Sequence, residues 1–535
     1  MSPIAYIGTV CVAGRPVRPR TAVVVEAGRV AAVLPVHQLP AGVRRHDAGD
    51  ALITPGFVDA HVHLGQLGLQ LGSVDLSGCR TAVEALDRVR RHALRSRAEP
   101  IIGSGWDDAD WPDADRLAAG LGTAAPDRAV YLSRVDVHSA LVSSAFVALA
   151  DPTGGLPGVD GFEPGPAGTA IVRRAAHHAV REVVTSGLGR PQRRAALVCA
   201  LRLVAARGLV CVHELGAPHL SAADDMALLD DIGRTLPVPQ VVRYWGQHAD
   251  DGGIDHAREL GCVGAAGDLC ADGSIGSRTA ALAAPYADAP DRSDDRGSLY
   301  LDTAAVTRHL RACTAAGIAG GFHCIGDAAV DAVLEGLDQV AAEFGAAAVR
   351  RCRHRLEHLE LWPGGGRRHG EIAGRLAQLG VVASMQPAFD ATWGGPGGLY
   401  QTRLGAARAD SMNPLARLAR AGVALAFGSD APVTPPAPWA GIRAALAHHT
   451  PAERLDFAQA FAAHTAGGWY AAGCSAEQSY RRARLAPGAP ADLAIWPGTD
   501  VDAALATTDP PTTALTLCNG QVVHDAARSS THDGG

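Results

Sequence analysis

The run Ile53-Thr54-Pro55-Gly56-Phe57-Val58-Asp59-Ala60-His61-Val62-His63 constrains this chain more than any other segment. An apolar stretch that opens at a Pro-Gly turn and ends in two histidines one residue apart reads as a buried strand. Alternate strand side chains point the same way, so His61 and His63 share a face and can converge on one metal ion. A lone His-x-His more often has one ring bonded to backbone and the other in solvent. The apolar strand leading into this pair is what favours a metal site.

The same rhythm continues along the chain. Short apolar runs that finish in polar residues alternate with Ala/Leu/Arg-rich helical segments, as repeated βα units do. Strand ends fall near His63, His213, Tyr244, Asp268, His323, His358, Gln386 and Asp430, eight in all. Residues from about 65 to 167 are too many for one βα loop and read as an insertion that lids the strand ends. At the N-terminus, Ile4 to Val12, Thr21 to Val25 and Val30 to Leu34 alternate with short polar turns, as small β domains do. Further strands are expected within Leu485 to Ile495 and Leu515 to Val523, the latter carrying the hairpin signal Asn519-Gly520. The two ends, residues 1–52 and 485–526, are expected to build one composite β-sandwich beside the central unit, with the tail from about Ala526 frayed.

Composition narrows the chemistry. With 535 residues, 47% of them hydrophobic, the chain can bury one large core and a smaller satellite. The net charge of −7 with scattered basic residues indicates neither nucleic acid nor an anionic membrane, which leaves a small-molecule substrate as the expected partner and a homodimer open. The first residues show no leader pattern, and no apolar run approaches the roughly 18 residues of a membrane span, so a cytoplasmic location is expected. Eleven cysteines without a C-x-x-C pair read as reduced thiols. All 48 basic residues are arginine. A GC-rich genome accounts for that bias, yet its consequence is absolute: no Schiff-base lysine, no phosphate-binding Walker lysine and no carboxylated lysine can exist here.

Three further groups sit at expected strand ends: His323 in Gly321-Phe322-His323-Cys324-Ile325-Gly326-Asp327, His358 in Arg355-Leu356-Glu357-His358, and Asp430 in Gly428-Ser429-Asp430. Any one of them alone is as well explained by a buried histidine or a capping aspartate. Five such residues at four strand ends, His61 and His63 included, form an N/O ligand set suited to zinc, with manganese, iron or cobalt as alternatives.

Taken with Trp106-Asp107, His138-Ser139 and Asp272-Gly273-Ser274-Ile275-Gly276-Ser277-Arg278-Thr279-Ala280, these motifs resemble the YtcJ-like branch of the amidohydrolase superfamily, which includes N-substituted formamide deformylases. The resemblance spans nearly the whole chain. It implies a (β/α)8 TIM barrel over residues 53–484, one or two divalent transition metal ions, zinc foremost, and hydrolysis of a C–N bond by metal-activated water. It further implies that His61 and His63 bind one metal with Asp430, that His323 and His358 bind a second, and that the residue on strand four bridges them. In many relatives that residue is a carboxylated lysine; here it is Asp268, which can bridge directly or serve as a rim aspartate bonded to backbone. Asp430 is the expected proton carrier. Arg278 and His138 are expected to orient substrate, Trp106 to wall an apolar subsite, and Glu214 to support the ligands from behind. The rival activities are a deaminase or cyclic-amide hydrolase on the same scaffold and, in another class, a degenerate barrel that binds without catalysis.

Overall fold

The computed structural model describes residues 2–529 except 13–14, 97–99, 110, 290–293, 365 and 499. Eight parallel strands occupy its centre in two sheets. Gln240–Trp245, Leu209–Gly216 and Phe57–Val62 form one, in that order; Gly264–Ala265, Ala319–Cys324, Arg355–His358, Val382–Met385 and Ala424–Phe427 form the other. Backbone hydrogen bonds continue across both junctions between them. The Asp430 N–H donates to the His61 carbonyl at 2.8 Å and the His63 N–H to Ala431 at 2.9 Å on one side; the Val263 N–H donates to Arg243 at 2.9 Å on the other. Every strand end expected from sequence lies on one of these elements or within three residues of it.

Both faces of these strands are covered, which is why they are mostly apolar: all six residues of Phe57–Val62 are buried, Asp59 and His61 among them. Helices pack around them. Thr303–Ala316 shows the local logic: the Asp302 carboxylate caps its start by accepting from the Ala305 N–H at 2.8 Å, and Gly317 closes it at φ 69°. Its buried Val306, Leu310 and Cys313 recur at helical spacing and join Phe322 of the neighbouring strand in the main core. At the junction of the last strand with the first, only glycine fits at 428, because a Cβ there would lie 2.5 Å from the His61 nitrogen.

The two chain ends meet in one seven-stranded sheet, ordered Gln521–Asp525, Leu515–Cys518, Leu493–Trp496, Arg44–Pro55, Ile4–Val12, Arg15–Glu26, Arg29–Pro35. Its terminal hairpin turns at Asn519 (φ 49°) and Gly520 (φ 77°), the left-handed pair that a two-residue turn requires. Beyond it Ala526–Ser529 forms a short helical turn, where fraying was expected; residues 530–535 lie outside the described part.

The insertion is a six-stranded sheet of its own, from Val74–Asp75 to Ala170–Arg173, with its own apolar core. It runs past the expected boundary at 167, because Ala170–Arg173 pairs antiparallel with Ser139–Val142 and leads into helix Arg174–Ser186. All eleven cysteines are free thiols. Among the described residues no helix is long and apolar enough to cross a membrane.

Candidate metal centre

The ends of strands one, four, five, six and eight bring six buried side chains together. His61 Nε2 lies 3.3 Å from His63 Nε2, 3.4 Å from Asp268 Oδ1 and 3.3 Å from Asp430 Oδ1. His63 Nε2 is 3.1 Å from Asp268 Oδ2 and 3.1 Å from Asp430 Oδ1, and His323 Nδ1 is 4.0 Å from Asp268 Oδ1. Three overlapping groups have ligand atoms within 4.8 Å of one another: His61, His63 and Asp268; His61, His358 and Asp430; Asp268, His323 and His358. Donor atoms about 2.1 Å from a common ion at tetrahedral angles stand about 3.4 Å apart, so these spacings suit a metal.

The tautomers make the same point. His61 Nδ1 faces Glu357 Oε2 at 2.8 Å and must donate its proton there; His358 Nδ1 donates to the Gln386 side-chain oxygen Oε1 at 2.8 Å, and His323 Nε2 donates to the Gly273 backbone carbonyl at 3.3 Å. The remaining nitrogens, His61 Nε2, His358 Nε2 and His323 Nδ1, then present lone pairs towards two carboxylates. Among the described residues, His358 Nε2, Asp268 Oδ1 and Asp430 Oδ1 are buried without a hydrogen-bond partner. So many acceptors in one dry site repel one another unless cations sit among them. Protons are the alternative, and the balance shows the field: burial opposes charging His61 and His63, yet the Asp268 and Asp430 carboxylates outweigh it, holding His61 well above its ordinary pKa and His63 at about 9. The residues fit a divalent cation.

The surroundings fix the ligands. Glu357 is gripped by Arg355, whose guanidinium also donates to the Ala60 carbonyl at 2.7 Å and to Ser384 at 3.0 Å. Burial would raise Glu357, but Arg355 and His61 outweigh it and hold the carboxyl at about 2. Asp59 accepts from the backbone of His61 at 3.2 Å and of Ser429 at 2.9 Å, tying strand one to the loop after strand eight. Glu214 accepts from the Leu64 N–H at 2.6 Å and, chiefly through burial, is pushed up to about 7. His358 and Asp430 adopt left-handed backbone, φ 70° and 56°, which costs about 1–3 kcal/mol at a non-glycine residue and is typical where a site dictates aim.

Of the residues expected to touch substrate, only His138 lines the centre. It borders a cavity with His323, His358 and Asp430, its ring centroid 5.0 Å from that of His323. The Asp-Gly-Ser motif shapes this cavity through its aspartate: Asp272 accepts from the N–H groups of Ile325, Gly326 and Ala281 at 2.8–3.0 Å. Arg278 does not face the cavity; it is held by Asp288 at 2.8 and 3.2 Å. Trp106 lies inside the inserted sheet, its indole N–H donating to the Leu132 carbonyl at 3.1 Å, so it walls no subsite beside the centre. Sequence reading missed Glu357 and Gln386 as supports and also a second, histidine-rich cavity in which His177, His178, Arg181 and His219 approach Asp268 and His63. Glu357 was readable as the polar neighbour of a strand-end histidine; His178 and Arg181 had no such signal, since they stand on the helix that follows the insertion.

Residues 45–524 match an amidohydrolase family. Over 514 residues the chain is 26% identical to putative amidohydrolase YtcJ of Bacillus subtilis, covering 89% of each protein, and over 486 residues it is 28% identical to protein LONG AFTER FAR-RED 3 of Arabidopsis thaliana, covering 83% of this chain and 77% of that one. A metal-dependent hydrolase of Pyrococcus furiosus superposes with a TM-score of 0.69 at 25% identity, over 93% of this chain and 99% of its own. One from Pyrococcus horikoshii gives 0.70 at 22% identity, over 95% and 99%, a likeness of fold.

Proposed function

The chain belongs to the amidohydrolase family, and from that premise we propose that it is a metal-dependent hydrolase cleaving a C–N bond, in an amide or formamide, of a small organic molecule. The observation that carries this reading is the convergence of His61, His63, Asp268, His323, His358 and Asp430, with the free lone pairs of His61, His323 and His358 turned towards the two carboxylates. We read the eight parallel strands as a closed (β/α)8 barrel over 53–484 and the terminal sheet, from 1–52 and 485–526, as a β-sandwich-type satellite. In this reading His61, His63 and Asp430 would hold one ion and His323 and His358 a second, with Asp268 available to either group. Zinc suits the donor set.

A divalent cation held there supplies an acidified water and a polarised carbonyl. The protein does the rest. Asp430 accepts the proton at its carboxylate and delivers it to the departing nitrogen. His138, at the rim, orients the carbonyl, and the cavity beside it receives the substituent. The test is elemental analysis with a screen of amides and formamides: one to two equivalents of transition metal are expected in the wild type. Replacing both His61 and His63 by alanine should remove at least one equivalent and all hydrolysis. Unchanged metal content in that double variant would end the reading.

A further inference from the structure

Two spaces flank the metal centre, and they differ in character. One is bordered by His358 and walled by Phe389, Trp393 and Tyr400; the other is the histidine-rich cavity, bordered by His63. His138, His323 and Asp430 border both, so the ligand cluster stands between them. The second space is built from polar residues that hydrolysis itself does not use. Arg181 and His178 come from helix Arg174–Ser186, His219 from the loop after strand Leu209–Gly216, and Gln66 from helix Leu64–Leu71, which follows His63.

This space is rich in donors. Arg181 is 7% exposed, and its guanidinium is fixed by donating to the Val137 carbonyl. A carbonyl aims a guanidinium without neutralising it, and arginine keeps its charge at every working pH. The carboxylates that border the cavity are Asp268 and Asp430, both turned to His61 and His63 at 3.1–3.4 Å. Gln66 adds an independent observation: among the described residues its amide nitrogen is buried without a hydrogen-bond partner. Natural interiors rarely leave a donor so, and an acceptor arriving with a ligand would satisfy it. The histidines here do not make a further metal site. His178 and His219 stack with ring centroids 4.5 Å apart at 28°, and among the described residues neither belongs to a group whose ligand atoms gather within 4.8 Å. The fixed charge of Arg181 beside them repels a cation and attracts an anion.

We propose that Arg181 and Gln66 form a subsite that receives a carboxylate on the substrate, with His178 and His219 as its walls. This rests on the hydrolase reading above. The substrate then spans the centre, its C–N bond at the ligand cluster, its apolar part against Phe389 and Trp393, and its carboxylate on Arg181. A planar guanidinium matches the two oxygens of a carboxylate. The substrate class narrows to amides and formamides that bear a carboxylate near the bond that breaks.

The test is calorimetric titration of the metal-loaded protein with 3-phenylpropanoate and with 3-phenylpropan-1-ol, which has the same skeleton and no charge. The wild type should bind the acid at least about tenfold more tightly, as hydrogen bonds to a charged group allow. In Arg181→Gln, with metal content retained, that preference should shrink about tenfold. Gln66→Leu leaves the charge in place and should weaken the acid about threefold while leaving the alcohol unchanged. Equal binding of acid and alcohol to the wild type overturns the proposal without any variant. So does a preference unchanged within twofold in Arg181→Gln, which would place the carboxylate on the metal instead. Turnover is measured apart, on N-formylphenylalanine and N-phenethylformamide, which differ only in the carboxylate: hydrolysis of neither counts against the hydrolase reading, whereas equal kcat/KM for the two counts against the subsite.

Discussion

Glu357→Gln tests whether the ligand set is oriented from behind. The substitution keeps the size of the side chain and one acceptor but removes the charge, and no arrangement of the amide keeps all three present contacts. If its oxygen takes the place of Oε2, it still accepts from His61 Nδ1 at 2.8 Å and from Arg355 Nη2 at 3.0 Å, but its NH2 group takes the place of Oε1 and faces Arg355 Nε, donor against donor. If the amide turns over, His61 must carry its proton on Nε2, where it blocks the lone pair that faces Asp268 and Asp430 at 3.3–3.4 Å. Losing a support of this kind typically lowers metal affinity 10- to 100-fold, about 1.4–2.7 kcal/mol. A separate cost falls on the fold, because Arg355 is left buried with less counter-charge. Breaking a buried pair costs about 3–5 kcal/mol, and the lower end applies here since the Ala60 carbonyl and Ser384 still accept from the guanidinium. Competition against a chromogenic chelator reads the first effect, and thermal unfolding in excess chelator reads the second. A folded Glu357→Gln protein with metal affinity within about twofold of wild type would refute the argument that the tautomer of His61 is set by this contact.

Other expectations follow from the same geometry. Asp430→Asn keeps an oxygen donor but removes the basic site, so turnover should fall about 10²- to 10⁴-fold while metal content survives better; near-normal turnover in a metal-replete variant would move the proton to Glu214 or Asp327. Asp268→Asn should lower metal content or affinity, and diffraction at an absorption edge would count the ions: a single ion more than about 4 Å from Asp268 excludes bridging, since metal–oxygen bonds are near 2.0–2.2 Å. Away from the centre, buried His354 accepts from the Gly320 N–H at 2.9 Å, and burial holds its pKa down at about 4 against an ordinary 6.5. The unfolded chain therefore binds the proton first, so this group's contribution is fully present above pH 6.5 and is lost as pH falls towards 4, at most about 3 kcal/mol. In chemical denaturation, His354→Gln should lose less stability than wild type between pH 7.5 and pH 4.5; an equal loss would show that other groups carry the effect.

The fold was legible where one residue class serves one physical need. Strands buried on both faces are mostly apolar, and a run such as residues 53–62, broken only by Thr54, Asp59 and His61, reads as one. The hairpin at Asn519-Gly520 was readable because its turn needs two left-handed residues. The edge of the insertion was not, because Ala170–Arg173 is as short and apolar as a strand of the central unit, and only its antiparallel partner Ser139–Val142 tells them apart.

The centre was legible in its ligands and opaque in what surrounds them, and the reason is chemical. Histidines and aspartates at strand ends are rare enough to stand out, so five candidate ligands could be named from their positions, and Asp268 was added by the family resemblance. Arg278 and Trp106 were singled out on a motif alone, and a motif does not say which way a side chain points: one is spent on Asp288, the other on the Leu132 carbonyl. Glu357 and Gln386 bear on the centre through contacts between residues up to 296 positions apart, as Glu357 and His61 are. No periodicity encodes such a contact. It exists only once parallel strands have brought their ends to one side, where a buried carboxyl group is claimed by an arginine, as Glu357 is, or by a tyrosine, as Glu360 is.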